Sequence, residues 1–161
     1  MPLLSITANF SATSGNSCLL QLSSGNGIPT TKLRLKMYHI QLVKGTSATA
    51  TIPSLVMINL GGIFGGTQIH NVLPLKQGSQ SEYLHHSNLS LPITGTSTLQ
   101  QCNVALEVNQ HVPKQLTLSV FKYDGTSGEV VAFPTADPGS GTSSSVRHIQ
   151  LWFEYGNPNL F

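Results

Sequence analysis

KLRLKMYHIQLV, residues 32–43, alternates apolar and polar side chains with a period of two, as a β-strand with one buried face does. Halfway along, the phase changes. Leu33, Leu35 and Met37 occupy one phase; Tyr38, Ile40 and Leu42 occupy the other. A run that switches faces predicts a bulge, or a strand long enough to serve one packing surface and then another. Lys32, Arg34 and Lys36 fall at every second residue, on the face opposite Leu33, Leu35 and Met37. Those three cations read as a solvated face, with contact to an acidic partner as the alternative.

Outward from this stretch the same alternation recurs in NVALEV (103–108), QLTLSVFKY (115–123) and VRHIQLWFEY (146–155). In the last, Ile149, Leu151, Phe153 and Tyr155 share one face, while His148, Gln150, Trp152 and Glu154 share the other. Weaker strand patterns lie near 3–10, 17–22, 50–60, 69–75, 83–91 and 129–133. Between them stand turn clusters such as SSGNGIPTT (23–31), ITGTS (93–97) and YDGTSGE (123–129). Asn26-Gly27 and Asp124-Gly125 mark turns because Gly takes positive φ freely and Asn or Asp bonds its own backbone. Thr135 to Ser145, rich in Gly, Ser and Thr, reads as a mobile loop before the final strand. No stretch has helical periodicity. Eight to ten short strands predict an all-β fold, a two-sheet antiparallel β-sandwich, with a single eight-stranded jelly roll as the expected solution. No linker or repeat divides the 161 residues, so one domain spanning 1–161 is expected.

Charge is scarce. Asp, Glu, Lys and Arg make up 9% of the chain, against roughly 25% in an ordinary soluble domain. A polar but uncharged surface suits a protein that packs against many neighbours, since such contacts strip no water from ions. With eight Lys and Arg and a net charge of +2, strong nucleic-acid binding is not expected. No run approaches the ~18 apolar residues of a membrane span. The opening MPLLSITANFS lacks a basic n-region and an apolar core, so no secretory signal is expected. The sequons at Asn9 and Asn88 are accordingly read as chance matches. Cys18 and Cys102 are too few for a disulfide framework and read as two separate buried thiols.

INLGGIFGGTQIH (58–70) carries two glycine pairs, which raises the question of a phosphate cradle. A P-loop requires Lys after the second glycine and a helix whose N-terminus faces the phosphates; here Thr67, Gln68 and Ile69 follow. The stretch reads as a tight loop between strands. Its apolar tip, Ile63-Phe64, would either plug into a neighbouring subunit or fold over its own core.

The remaining chemistry is sparse. None of the six carboxylates, Glu82, Glu107, Glu129, Glu154, Asp124 and Asp137, is marked as a catalytic pair. Asp124 to Glu129 reads as a hairpin turn, because the further ligands of a calcium loop are missing. The six histidines, His39, His70, His85, His86, His111 and His148, include no H-x-H, and adjacent His85 and His86 would face opposite sides of a strand. They read as surface or interface residues, with no metal or other cofactor implied. No G-x-S-x-G elbow occurs, and neither cysteine has an activating neighbourhood. Trp152 and Phe133 could stack a sugar, but a lone Trp on the final strand reads first as an interface or core anchor. An enzyme is not expected.

Short strands, few charges, abundant Ser, Thr and Asn, and the strong final strand VRHIQLWFEY before the tail GNPNLF resemble one family. These are the single jelly-roll capsid proteins of icosahedral double-stranded DNA viruses. The resemblance implies a penton or minor capsid protein, assembled inside the host cell and located in the virion. Its partners would be copies of itself, as a pentamer or secondarily a trimer, and neighbouring major and minor capsid proteins. Ile63, Phe64 and Trp152 are the candidate interface residues. The alternatives are a carbohydrate- or receptor-binding β-sandwich such as a fibre head, a trimeric jelly roll similar to tumour necrosis factor, and a metal-dependent cupin enzyme.

Overall fold

The computed structural model describes residues 3–21, 32–61, 72–76, 83–107, 115–124 and 129–155. Among them are ten strands and no helix: β1 (Leu3–Asn9), β2 (Ser17–Gln21), β3 (Lys32–Lys44), β4 (Leu55–Gly61), β5 (Val72–Lys76), β6 (Tyr83–Pro92), β7 (Ser97–Glu107), β8 (Gln115–Asp124), β9 (Glu129–Ala132) and β10 (Ser144–Tyr155). The strands form two antiparallel sheets. Sheet A has the order β1-β10-β3-β7, and sheet B has the order β2-β8-β4-β6-β5, with β9 also on β8.

Once β5 and β9 are set aside, the remaining eight strands pair from the outside inwards. The first of them pairs with the last (β1 with β10), the second with the seventh (β2 with β8), the third with the sixth (β3 with β7), and β4 with β6. Two further pairings, β10 with β3 and β8 with β4, complete the sheets. β2 takes the first half of one edge of β8 and β9 takes the second half. Val120 is the junction. Its N–H donates to the Asn16 carbonyl at 3.0 Å, and its carbonyl accepts from Asn16 Nδ2 at 2.8 Å and from Phe133 N at 3.0 Å. One edge is thereby shared without leaving its groups unpaired.

Alternation explains the core. Leu4, Ile6 and Ala8 of β1 are buried while the residues between them are exposed. They join Val56, Ile58 and Leu60 of β4, Leu116, Leu118 and Val120 of β8, and Ile149, Leu151 and Phe153 of β10 in one apolar cluster. Both sheets contribute to it, which gives the molecule its sandwich-like build. β10 therefore has the two faces that its alternation predicts.

The phase change in β3 is a bulge at Lys36. Leu35 lies opposite Phe153 and Met37 opposite Trp152, so Lys36 is an extra residue relative to β10, and the register with β7 shifts at the same place. Leu33 and Leu35 before the bulge, and Tyr38, Ile40 and Leu42 after it, all reach the core. Met37 departs from expectation. Beyond the extra residue it turns away from Leu33 and Leu35 and lies half-buried on the outer face. A second bulge, at Arg147 of β10, flips the phase between Val146 and Ile149. Its guanidinium Nη1 donates to the Thr135 carbonyl at 2.6 Å.

The segment expected to be a mobile loop before the final strand is instead fastened to the loop after β3. Gly45 N donates to Ser143 O at 2.9 Å, Thr46 N to Gly139 O at 2.9 Å, and Thr51 N to Thr142 O at 3.1 Å. Within it, Asp137 Oδ1 accepts from Gly139 N at 3.0 Å, where φ is +52°. Ser144 and Ser145 are buried in β10 itself. Gly, Ser and Thr signal the absence of apolar side chains, but their backbone groups can still find partners in another loop. Two strand limits also move: β7 begins at Ser97 rather than 103, and β4 begins at Leu55 rather than 50. β8 and β9 pair with Asp124 opposite Glu129, the register of the expected hairpin.

Candidate functional site

The outer face of sheet A carries the most distinctive surface among the described residues. Because all four strands are in antiparallel register, outward positions line up in rows. One row reads Ser5, Trp152, Met37, Gln101; the next reads Thr7, Gln150, His39, Leu99; the third reads Asn9, His148, Gln41, Ser97. No Asp, Glu, Lys or Arg occupies any of these positions. Charge borders these rows at the two bulges: at one end Lys36 interrupts the ladder and Glu154 lies opposite Arg34, and at the other Arg147 is the extra residue beside His148. Positions on the two central strands are mostly half-buried, and those on the outer strands are exposed.

Hydrogen bonds fix this face. His148 Nδ1 lies 2.8 Å from Asn9 Oδ1, His39 Nε2 lies 3.3 Å from Ser97 Oγ, and Gln150 Nε2 donates to Ser5 Oγ at 3.2 Å. Arg34 Nη1 donates to Asn103 Oδ1 at 2.8 Å. Among these polar groups stand two large exposed apolar side chains, Leu3 (66% exposed) and Leu99 (64%). An open depression of about 400 Å³ lies at the Lys36 end, lined by Leu3, Lys36, Met37, Gln101, Cys102 and Trp152.

Of the three candidate interface residues, Trp152 is on this face, between Ser5 and Met37. Ile63 and Phe64 lie outside the described residues, as do the Ile-Phe tip and both outcomes considered for it. Phe133 is buried in the core, far from the exposure a sugar-stacking role needs. Cys18 and Cys102 are separate free thiols, as expected, though both are half-buried rather than fully enclosed. Burial pushes both thiols up, and in Cys102 this outweighs the opposing pull of Lys36. Each therefore stays protonated and is a poor nucleophile. Each Sγ also faces a backbone carbonyl, that of Asn9 for Cys18 and that of Leu35 for Cys102.

Among the described residues no three His, Cys, Asp or Glu side chains converge as a metal group. Nor is any helix there long and apolar enough to cross a membrane. The rows across sheet A were only half legible in the sequence: each strand's outward set can be read from alternation, but which sets adjoin depends on pairings between distant segments. No protein-family model matches this chain, and no curated protein does either.

Proposed function

We propose that this chain is a structural virion protein built on a single jelly roll, acting as a penton or minor capsid protein that self-associates in an icosahedral shell. The outside-in pairing of eight strands supports the jelly roll. A long antiparallel hairpin wound into two sheets pairs its first strand with its last and its second with its seventh. Capsid proteins are among the recurrent users of that design. Two of the six pairings among these eight strands join β10 to β3 and β8 to β4, strands from further along the hairpin, as winding requires.

The observation that carries the structural role is the uncharged outer face of sheet A. Amides, hydroxyls and imidazoles there can exchange water for a partner's polar groups, and Leu99 and Leu3 supply apolar area. Burying an unpaired ion instead costs several kcal/mol in effective terms. A lattice of repeated contacts favours the neutral face. The sequence style described above, poor in charge along its whole length, points the same way.

Native mass spectrometry of the purified chain tests this reading, with a pentamer as the expected species. Leu99→Asp places a charge on the exposed edge-strand end of the middle row without touching the core, and should weaken association at least tenfold while the far-UV spectrum is unchanged. A monodisperse monomer at every accessible concentration would sink the proposal. A second reading has one feature in its favour. The depression beside Trp152 sets an aromatic ring among Gln101 and Lys36, a combination suited to a saccharide. Glycan binding lost in Trp152→Ala would support that reading.

A further inference from the structure

Two histidines that no sequence spacing connects meet on the outer face of sheet A. His39 lies opposite Gln150 and His148 opposite Gln41, so the two imidazoles sit on the diagonal of a four-residue block whose other members are carboxamides. Their ring centroids are 5.5 Å apart, with the planes inclined at 59°. Two imidazoles that share one ion through nitrogens at about 2.0–2.1 Å, with a near-tetrahedral angle at the ion, place their ring centres about 5 Å apart. The observed separation therefore needs little rearrangement to reach that of a chelate.

The hydrogen bonds add an independent feature. Asn9 Oδ1 can only accept, so its contact with His148 Nδ1 puts the ring hydrogen there and leaves the Nε2 lone pair uncommitted. His39 Nε2 lies 3.3 Å from Ser97 Oγ, a hydroxyl that can accept or donate, and when Nε2 donates there the Nδ1 lone pair is left for an ion. Histidines that bind metals are held in this way, with one nitrogen anchored by an outer partner and the other presented to the ion.

We propose that His39 and His148 form a two-imidazole site for a late first-row divalent ion, with the Gln41 carboxamide oxygen as the neighbouring third donor. Imidazole nitrogens suit Ni²⁺, Cu²⁺ and Zn²⁺. Without carboxylates the site has no claim on Ca²⁺ or Mg²⁺, which take oxygen ligands. Two protein nitrogens leave the rest of the coordination sphere to water or to a group from outside the chain. The site does not depend on the proposed self-association.

Isothermal titration of the tag-free chain with Ni²⁺ alone tests the site. His148→Gln, which keeps the bulk and polarity of the side chain, should weaken binding at least tenfold, and His39→Gln should do the same. Asn9→Ala, which removes only the ring's anchor, should weaken it by roughly ten- to a hundredfold. The His85→Gln/His86→Gln double variant should bind as the parent does. Equal affinity in His148→Gln and the parent, or no Ni²⁺ uptake by the parent, would overturn the proposal. Thermal unfolding of each variant distinguishes loss of the site from loss of the fold.

Discussion

At position 45 there is no room for a side chain. A Cβ on Gly45 would lie 2.0 Å from the carbonyl oxygen of Gly141, well inside contact distance, and that oxygen belongs to backbone that cannot swing aside. Gly45 therefore sets how closely the loop after β3 can approach the loop before β10. Gly45→Ala should cost about 2 kcal/mol, in the range of other overpacking substitutions, and lower the melting temperature by roughly 4–8 °C for a chain of this size. Gly95→Ala is the matched control, since nothing lies within 4 Å of its added Cβ. Differential scanning calorimetry at fixed concentration measures both, and equal melting temperatures would contradict the close approach. None of this could be read from VKGTS alone, where Gly45 looks like an ordinary turn residue.

At the scale of the element, the bulge at Lys36 lets one thirteen-residue strand serve the core throughout its length. The alternation by itself revealed the phase change, because two apolar sets a half-period apart cannot both face inward on a regular strand. It did not reveal that the extra residue sits at Lys36 rather than Met37. That is set by the register with β10, which pairs Leu35 and Met37 with the consecutive residues Phe153 and Trp152. Deleting Lys36 removes the extra residue and turns either Leu33 and Leu35 or Tyr38, Ile40 and Leu42 away from the core. The expected result is loss of cooperative urea unfolding, whereas Lys36→Ala, which keeps the bulge and trims only the side chain, should shift the midpoint little. A cooperative transition in the deletion variant would mean that the strand can slip to another register. Arg147 shows the complementary limit of sequence reading. It falls in a run of good alternation, VRHIQLWFEY, yet it is the residue displaced in the second bulge.

For the molecule as a whole, alkaline pH should be the weak side. Tyr38 is enclosed in the core, and its hydroxyl donates to the Pro92 carbonyl at 2.7 Å. Burial, and then the neighbouring Cys102, raises its pKa above the ordinary 10.0. Burial likewise raises Cys18 and Cys102 above the ordinary 9.0. In each case the folded state holds its proton at pH values where the unfolded chain has released it. The stability they contribute is complete below the ordinary values and is lost as pH rises through the raised ones. Urea midpoints should therefore fall as pH climbs above about 9, first through the thiols and then through Tyr38. Tyr38→Phe should flatten the part of that decline above about pH 10 at the cost of the bond to Pro92, about 1 kcal/mol. An unchanged slope in Tyr38→Phe would rule out the tyrosine as a source.

Sequence by itself determined that the chain is all-β and which side chains of β10 face inward, because period-two alternation is a local property of each strand. It also determined that the surface is poor in charge, since composition leaves few ions to place. Tertiary structure alone decided the outside-in order of the strands, the rows across sheet A, the fastening of residues 135–145 and the meeting of His39 with His148. Each of these depends on hydrogen bonds between segments far apart in the chain. Side-chain pattern specifies that a strand must find partners, but the choice of partner is made only when both sheets close over one core.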